Sequence, residues 1–405
     1  MMQAITHLSL HHFRNYTSLD LTLSSAPVVL TGPNGAGKTN VLEALSLFSP
    51  GRGLRGAKLS DLSSSSSDLF RGSIDSRNKC ENDTAEKVKF EKGLLWASSI
   101  ILSQDIQLST GLENNPLTGS EKRIHKIQHE SVKGQAPFTE WLTVFWLTPE
   151  TDRLFLESPS DRRKFVDRFV YGEDPLHSER LNRYDHALRE RLMVLRQGGD
   201  PLWLSSLEEQ IASQGVAIAV ARQQLMKKLN QGQEYQHPLF PRFQSQMIGE
   251  IDSWIENDYA VNVEARFMEA LTKNRNTDRE SGTTKIGPHR SDWEMIHQTK
   301  NMTASFCSTG EQKILLIAAL FSFIQHKVRN DDRLTVLLLD DVIAHLDFHH
   351  RVVLFDQICA LQNTHQEEFK GSVHTWLTGT DPLLFETLMG QGQFFCVDNA
   401  TLTLG

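Results

Sequence analysis

Gly32-Pro33-Asn34-Gly35-Ala36-Gly37-Lys38-Thr39 fits the pattern G-x-x-x-x-G-K-[ST] in full. It follows the short aliphatic run Pro27-Val28-Val29-Leu30 and precedes Asn40 and a helical pattern, the context a phosphate-binding loop requires. Main-chain N–H groups must converge on phosphate oxygens in such a loop, and glycines allow the dihedrals and the close approach. The N-terminus of the following helix adds its positive partial charge. On this reading Asn34, Gly35, Ala36, Gly37 and Asn40 cradle a nucleotide, Lys38 bridges its β- and γ-phosphates, and the Thr39 hydroxyl sits on Mg²⁺. Asp340 ends a second aliphatic run and is expected as the other Mg²⁺ ligand. Asp341 follows where a carboxylate would orient or deprotonate an attacking water. A chance glycine-rich turn and a solvated Asp-Asp strand end are the plainer readings of each motif alone, and each loses weight beside the other.

Ser308-Thr309-Gly310-Glu311-Gln312 opens a long apolar helix and resembles the signature motif of ABC-type ATPases. Taken singly it would be an ordinary helix N-cap. Its place before Asp340, with Ala344-His345-Leu346-Asp347 after it as a D-loop, makes an ordered set of four motifs. In that class two heads pair head to tail, so Ser308, Gly310 and Gln312 would complete the γ-phosphate site of a partner copy, with Asp347 beside it. ATP would then hold an ATP-dependent homodimer together and hydrolysis would release it. From Lys38 to Ser308 is 308 − 38 = 270 residues, longer than the ATPase subunit of a membrane transporter needs, which is the first rival reading. A P-loop kinase, the second, would need neither signature nor D-loop.

The elements that must position these residues follow from periodicity. Ile5, Leu8 and Leu10, then Leu19, Leu21 and Leu23, alternate with polar neighbours as half-buried strands do. Val41, Leu42, Leu45 and Phe48 take helical spacing, and residues 334–339 and 373–377 read as buried strands, the latter ending at Thr378-Gly379-Thr380-Asp381. Serines 63–67 read as a surface loop and residues 70–146 as short strands and turns. Leu181, Leu188 and Leu195 recur at seven, as do Leu204, Ile211, Ile218 and Leu225 beyond Gly198-Gly199-Asp200-Pro201. That pattern suits an antiparallel helical hairpin, or two core helices of a globular domain. The resulting fold class is α/β, an ABC-type P-loop ATPase head with a mixed sheet and N-terminal antiparallel strands, split by an inserted helical arm. Expected boundaries are 1–174 for the first part of the head, 175–245 for the arm and 246–405 for the rest of the head.

Composition sets limits. The 405 residues are 39% hydrophobic and 23% charged, enough for a sizeable core and unlike a disordered or disulfide-framework chain. The formal charge of −8 argues at first against nucleic acid, yet residues 331–405 hold eleven acids and three bases, 3 − 11 = −8, so residues 1–330 are neutral. Cys80, Cys307, Cys359 and Cys396 lack paired spacing and are expected as buried thiols. The N-terminus has no signal-peptide core and no stretch nears the roughly 20 apolar residues of a membrane span, so a soluble cytoplasmic protein with no membrane partner is expected.

Phe13-Arg14-Asn15-Tyr16, the segment from Gly35 to Ala44, Ser158-Pro-Ser-Asp-Arg-Arg-Lys-Phe-Val-Asp167, Gly287-Pro-His-Arg290, Cys307 to Lys313, Leu337-Leu-Leu-Asp-Asp-Val342 and Leu346-Asp347 together resemble the RecF family of bacterial recombination and gap-repair ATPases, over nearly the full length. The resemblance implies an ATP-dependent dimer binding double-stranded DNA or its junction with single strands. It implies partners of the RecO and RecR type, helping to load recombinase at gaps, and slow, switch-like hydrolysis. Arg14 becomes a candidate nucleotide contact, against the plainer reading of a surface arginine. Some positions depart from the wider class. Phe145-Trp-Leu-Thr-Pro-Glu150 holds no glutamine for a Mg²⁺ sensor, His345 replaces an acid before the D-loop Leu-Asp, and Thr378 or Thr380 takes the switch position. Arg162, Arg163, Lys164 and Arg168, with Arg180, Arg183, Arg189, Arg191 and Arg196, are candidate DNA contacts. Interleaved Glu179, Asp185 and Glu190 favour a solvated helix face instead.

Overall fold

The computed structural model describes residues 3–64, 94–114, 119–362 and 368–404; Cys80, serines 65–67 and the strands expected over 70–93 lie outside them. Strands β1 (Ile5–Phe13) and β2 (Tyr16–Thr22) pair antiparallel, Leu8 opposite Leu21 and Leu10 opposite Leu19, as their alternation predicts. Strand β3 (Val28–Thr31) is buried throughout and leads through the glycine-rich loop into helix α1 (Lys38–Ser46). Strands β4 (Leu94–Leu102), β5 (Gln107–Asn114), β6 (Glu121–Ile127) and β7 (Glu130–Ser131) complete an antiparallel sheet of order β2-β1-β4-β5-β6-β7, and β8 (Leu142–Leu147) opens a second sheet. Helices α2 (Pro159–Glu173), α3 (His177–Gln197) and α4 (Pro201–Gly232) follow. Then come β9 (Phe243–Ile248), α5 (Glu250–Asn257), α6 (Ala260–Lys273), α7 (Arg275–Ser281), β10 (Asp292–His297), β11 (Met302–Thr303) and α8 (Thr309–Asn330). The chain closes with β12 (Leu334–Leu339), α9 (Phe348–Gln362), β13 (Ser372–Gly379), β14 (Gln393–Asp398) and β15 (Thr401–Leu404).

The chain forms two compact units, a split unit of Met1–Thr148 with Val328–Gly405 and an inserted unit of Pro149–Lys327. In the split unit the second sheet runs β15-β14-β3-β13-β12-β8, parallel from β14 to β8. Parallel strands buried on both faces read as continuous apolar runs, which is why residues 334–339 carry no alternation. Apolar side chains of both sheets and of α1 form one core, from Ile5, Leu8 and Trp96 through Val41 and Leu45 to Leu338 and Trp376. Strand β13, which ends at Gly379, lies inside this sheet, and β14 and β15 follow it in the chain.

The inserted unit is broader than an arm over 175–245. The hairpin itself is as expected: Gly198 ends α3 in the left-handed region (φ 66°), and Asp200 caps α4 by accepting from Leu202 N, with Pro201 in the first turn. Its heptad positions do not face a lone partner helix. Leu188, Leu195, Leu204, Ile211 and Ile218 share a core with Ile251, Trp254, Val263, Phe267 and Leu271 of α5 and α6. A two-helix hairpin buries little area alone, so flanking helices and the β9-β10-β11 sheet join it. Among the described residues no helix is long and apolar enough to cross a membrane.

Arg191, a candidate DNA contact, is instead fully buried. Its guanidinium donates to Glu208 (3.0 Å), Asp278 (2.8 Å), Thr284 Oγ1 (3.3 Å) and the Leu271 carbonyl (2.6 Å), and Arg275 also pairs with Glu208. Arg191→Ala would leave the Asp278 carboxylate buried without its cation, and a loss of about 3–5 kcal/mol in urea-unfolding free energy is expected. A loss below about 1 kcal/mol, the range of an exposed pair, would show that the network does not hold this unit together.

Candidate functional site

Parallel register places the carboxyl ends of three strands side by side, where ligands bind in open α/β sheets. Thr378 and Gly379 of β13 stand opposite Leu30 and Thr31 of β3, and Leu377 stands opposite Leu339, the residue before Asp340. The glycine-rich loop, Thr378 and the two aspartates thus share one edge of the split unit.

The loop needs its glycines for space as well as dihedrals. Gly32 has φ 147°, and a Cβ there would lie 2.1 Å from the Val397 carbonyl oxygen. Gly37 has φ 117°, and its Cβ would lie 2.6 Å from Asn15 Nδ2 and 2.7 Å from Tyr16 Oη. Those two side chains brace the loop from the β1–β2 turn. Asn15 Nδ2 donates to the Ala36 carbonyl (3.1 Å), Tyr16 Oη donates to the Gly37 carbonyl (3.2 Å), and Asn40 Nδ2 donates to Asn15 Oδ1 (2.7 Å). Asn34 and Gly35 are exposed at the loop's outer edge.

Arg14, the expected nucleotide contact, is held at φ 54° and forks onto the fully buried Glu43 of α1 through Nε (2.9 Å) and NH2 (2.8 Å), with NH1 on the Asp61 carbonyl. Arg55 approaches the same carboxylate at 3.5 Å. Glu43 was not singled out from sequence, although an acid inside the apolar pattern Val41-Leu42-Glu43-Ala44-Leu45 signals a buried ion pair.

Lys38 Nζ donates to the carbonyls of Gly32 (2.7 Å) and Pro33 (2.9 Å), so the ammonium is held within the loop. Burial lowers its pKa, and Asp341 and Asp340 oppose that shift. Asp340 Oδ1 accepts from Thr39 Oγ1 (2.9 Å) and from Thr378 Oγ1 (2.8 Å), while Thr378 Oγ1 accepts from Asp341 N (2.9 Å). Burial raises the Asp340 pKa, and the two hydroxyls offset this only in part. No lysine or arginine forms an ion pair with Asp340 among the described residues. A buried carboxylate facing a hydroxyl, with no protein cation, suits a hard divalent ion that completes its shell with water and phosphate oxygens. No group of three or more His, Cys, Asp or Glu converges among the described residues, so an all-protein metal cage is not the pattern here. Asp341 sits at φ 53°, and its Oδ1 is buried without a hydrogen-bond partner. Of the two threonines considered for the switch position, Thr378 is buried in this relay and Thr380 is exposed.

The signature residues belong to the inserted unit. Ser308 and Glu311 form a capping box at the start of α8: Glu311 N donates to Ser308 Oγ (3.4 Å) and Ser308 N donates to Glu311 Oε2 (2.9 Å). Lys300 bonds Glu311 and, with the cap, holds its carboxyl down at about 2. Ser308 and Gly310 are exposed, whereas Gln312 is 1% exposed and points inward, donating to the Cys307 carbonyl. Asp347 lies exposed before α9 and accepts from the main-chain N and the Nδ1 of His350. Cys307 is buried as expected, but Cys396 is exposed; neither these nor Cys359 form disulfides. Most of the basic candidates are engaged internally: Arg162 with Asp292, Lys164 with Asp161, Arg180 with Asp174 and Arg183 with Glu179.

The family model described as the RecF/RecN/SMC N-terminal domain matches residues 4–367. A Mesorhizobium japonicum protein named DNA replication and repair protein RecF is 36% identical over 407 residues, covering 99% of this chain and 98% of the relative. Its namesake from Agrobacterium fabrum is 37% identical over 404 residues, with 99% and 98% covered. The solved structure of a recombination mediator protein RecF with ATPrS, from the RecFOR pathway, superposes with a TM-score of 0.77 at 20% identity, covering 100% of this chain and 98% of that one. A second, with ATP, gives 0.75 at 19% identity over 100% and 99%. The fold is that of an ABC-type ATPase head with an antiparallel N-terminal sheet and a helical insertion.

The raised pKa of Asp340 has a definite sign. Folding favours its protonated form, so ionised Asp340 costs stability once the pH is above its folded pKa. Asp340→Asn keeps an acceptor for both threonines and removes that cost. At pH 7 the nucleotide-free variant should melt at or above the wild-type temperature while losing the Mg²⁺-dependent part of stabilisation by ATP. A lower melting temperature with an intact Mg²⁺ effect would refute this assignment.

Proposed function

The chain belongs to the RecF family of DNA replication and repair proteins, and from that footing we propose that it is an ATP-dependent DNA-binding protein of recombinational repair and replication-fork maintenance. ATP binding pairs two heads on double-stranded or gapped DNA, and slow hydrolysis to ADP and phosphate releases them. The observation that carries this reading is the ready-made pair of Thr39 Oγ1 and Asp340 Oδ1, 2.9 Å apart at the mouth of a braced phosphate loop.

Each side chain has a distinct task. The loop N–H groups of residues 34–40 bind the phosphates, and Lys38 exchanges its carbonyl partners for phosphate oxygens. Thr39 and Asp340 would hold Mg²⁺, which when bound there neutralises phosphate charge. Asp341, with its unpartnered Oδ1, orients the attacking water and accepts its proton as the bond between the β- and γ-phosphates breaks. Thr378 ties the two aspartates together and so couples metal ligand to base. Ser308 and Gly310, exposed at the N-terminus of α8, suit a role toward the phosphates of a second copy, and Asp347 is open to the same partner. Gln312 supports that turn from inside, and Arg14 stiffens the first turns of α1 through Glu43.

The names of the relatives support DNA repair and the RecFOR pathway as the setting; RecO- and RecR-type partners and a cytoplasmic location belong to the same proposal. The rival of a transporter ATPase subunit finds no support in full-length relatives of this kind.

Lys38→Met removes a charged donor and should weaken ATP binding by about tenfold to a hundredfold. ATP-driven dimerisation, followed by light scattering, should disappear with it; normal dimerisation of this variant would sink the mechanism. Ser308→Arg should leave ATP binding by the monomer intact and block the dimer. An unimpaired dimer there would show the signature assignment to be wrong.

A further inference from the structure

Two of the motifs that carry the family resemblance lie outside the nucleotide site and meet in the inserted unit. Arg163, from Ser158 to Asp167, donates through NH1 to the Ser291 carbonyl at 2.6 Å, next to Arg290 of Gly287-Pro288-His289-Arg290. Arg290 Nε donates to the Thr284 carbonyl (3.1 Å), as does His289 Nε2 (3.0 Å). The turn is clamped from below. Tyr184 Oη bonds His289 Nδ1 (2.6 Å), and at Gly287 (φ 139°) a Cβ would lie 2.2 Å from that hydroxyl.

Two of the nearby acids are each committed to another arginine. Arg222 forks onto Asp167 at 2.8 Å through Nε and NH2 and also holds the Pro288 carbonyl, and Arg162 forks onto Asp292 at 2.7 Å. Asp167 is pushed up by burial yet held at about 2 by Arg222 and His177, so it stays an anion committed to that pair. Asp252 accepts from Ser291 Oγ and acts on Arg222 from a distance, and Asp185, exposed on α3, has Arg189, Arg222 and Arg163 among its charged neighbours without bonding any of them. Neither Arg163 nor Arg290 is paired with a carboxylate among the described residues, in contrast to Arg162, Arg180, Arg183, Arg191, Arg222 and Arg275. Arg290 keeps both terminal nitrogens, and Arg163 keeps Nε and one terminal nitrogen. Burial above all lowers the Arg163 pKa; Arg222 and Arg290 add to this, and Asp167 and Asp292 oppose it.

We propose that Arg163 and Arg290 form a phosphodiester-binding site that contacts the backbone of duplex DNA. Planar guanidiniums fixed on main-chain carbonyls present their remaining N–H groups in a set orientation, which suits tetrahedral phosphate oxygens. Contact with phosphate oxygens carries no base information, so binding at this site is independent of sequence. This assignment rests on the DNA-binding reading above.

The test uses the full-length protein with ATP and a labelled duplex, titrated over a series of KCl concentrations. Arg163→Ala/Arg290→Ala should bind at least tenfold more weakly at low salt. The slope of log K against log salt should fall in magnitude by about 1.8, about 0.9 for each phosphate that is no longer neutralised. Arg290→Ala alone, which gives up one main-chain hydrogen bond, should lower the slope by about 0.9 and covers any folding defect at Arg163. Arg183→Ala, already paired with Glu179, should leave the slope unchanged. ATP affinity, measured in parallel, should hold in every variant. Wild-type DNA binding with an unchanged slope in Arg290→Ala would overturn this site alone, and a loss confined to ATP affinity would reassign it to nucleotide phosphate. Wild-type protein that fails to bind DNA would overturn the DNA-binding reading and this site together.

Discussion

One oxygen organises the nucleotide site: Asp340 Oδ1 accepts from Thr39 and Thr378 at once. The first donor comes from the phosphate-loop helix and the second from the neighbouring strand β13. Both reach the aspartate only because β3, β13 and β12 run parallel and end in register. Burial opposes ionisation of that carboxylate, and the two hydroxyl donors offset this only in part. In the proposed function a divalent cation would complete that compensation.

Around that oxygen the protein invests its polar residues in bracing. Asn15 and Tyr16 hold the loop carbonyls, and Arg14 locks α1 through Glu43. Lys38 stays on the loop's own carbonyls, so the cradle keeps its shape before phosphate arrives. The inserted unit follows the same plan on a larger scale. Arg191 and Arg222 sit in buried ionic networks, and such networks specify one arrangement because a half-satisfied alternative is costly. Arg163 and Arg290 stand apart from these networks, anchored on main-chain carbonyls with no carboxylate partner among the described residues.

What was legible from sequence follows from the range of the forces involved. The glycine-rich loop, the buried run before Asp340 and the Gly-Gly-Asp-Pro turn are dictated by local backbone demands, so they appear in the chain as contiguous motifs. The four-motif order and the resemblance it supports were legible for the same reason. Partnerships across long separations were not. Glu43 finds Arg14 29 residues away and Arg191 finds Asp278 87 residues away, distances over which periodicity carries no signal. Arg191 read as a surface charge because its neighbours in α3 alternate in sign, yet its place between Leu188 and Leu195 turns it inward. Gln312 was read as a ligand contact from its motif, while its side chain caps the turn from within. The net charge of −8 misled only as an average, since the acids cluster in the segment that carries Asp340, Asp341 and Asp347.

The central claim, that the shared Asp340 oxygen sets up hydrolysis, is tested most directly at Thr378. Thr378→Val keeps the side-chain shape and deletes both hydrogen bonds, leaving Lys38, Thr39 and Asp340 in place. In single-turnover hydrolysis of ATP the rate should fall about tenfold or more, the size expected for losing a hydrogen bond to a charged group, while ATP affinity holds. An unchanged rate in a folded Thr378→Val protein would contradict the account.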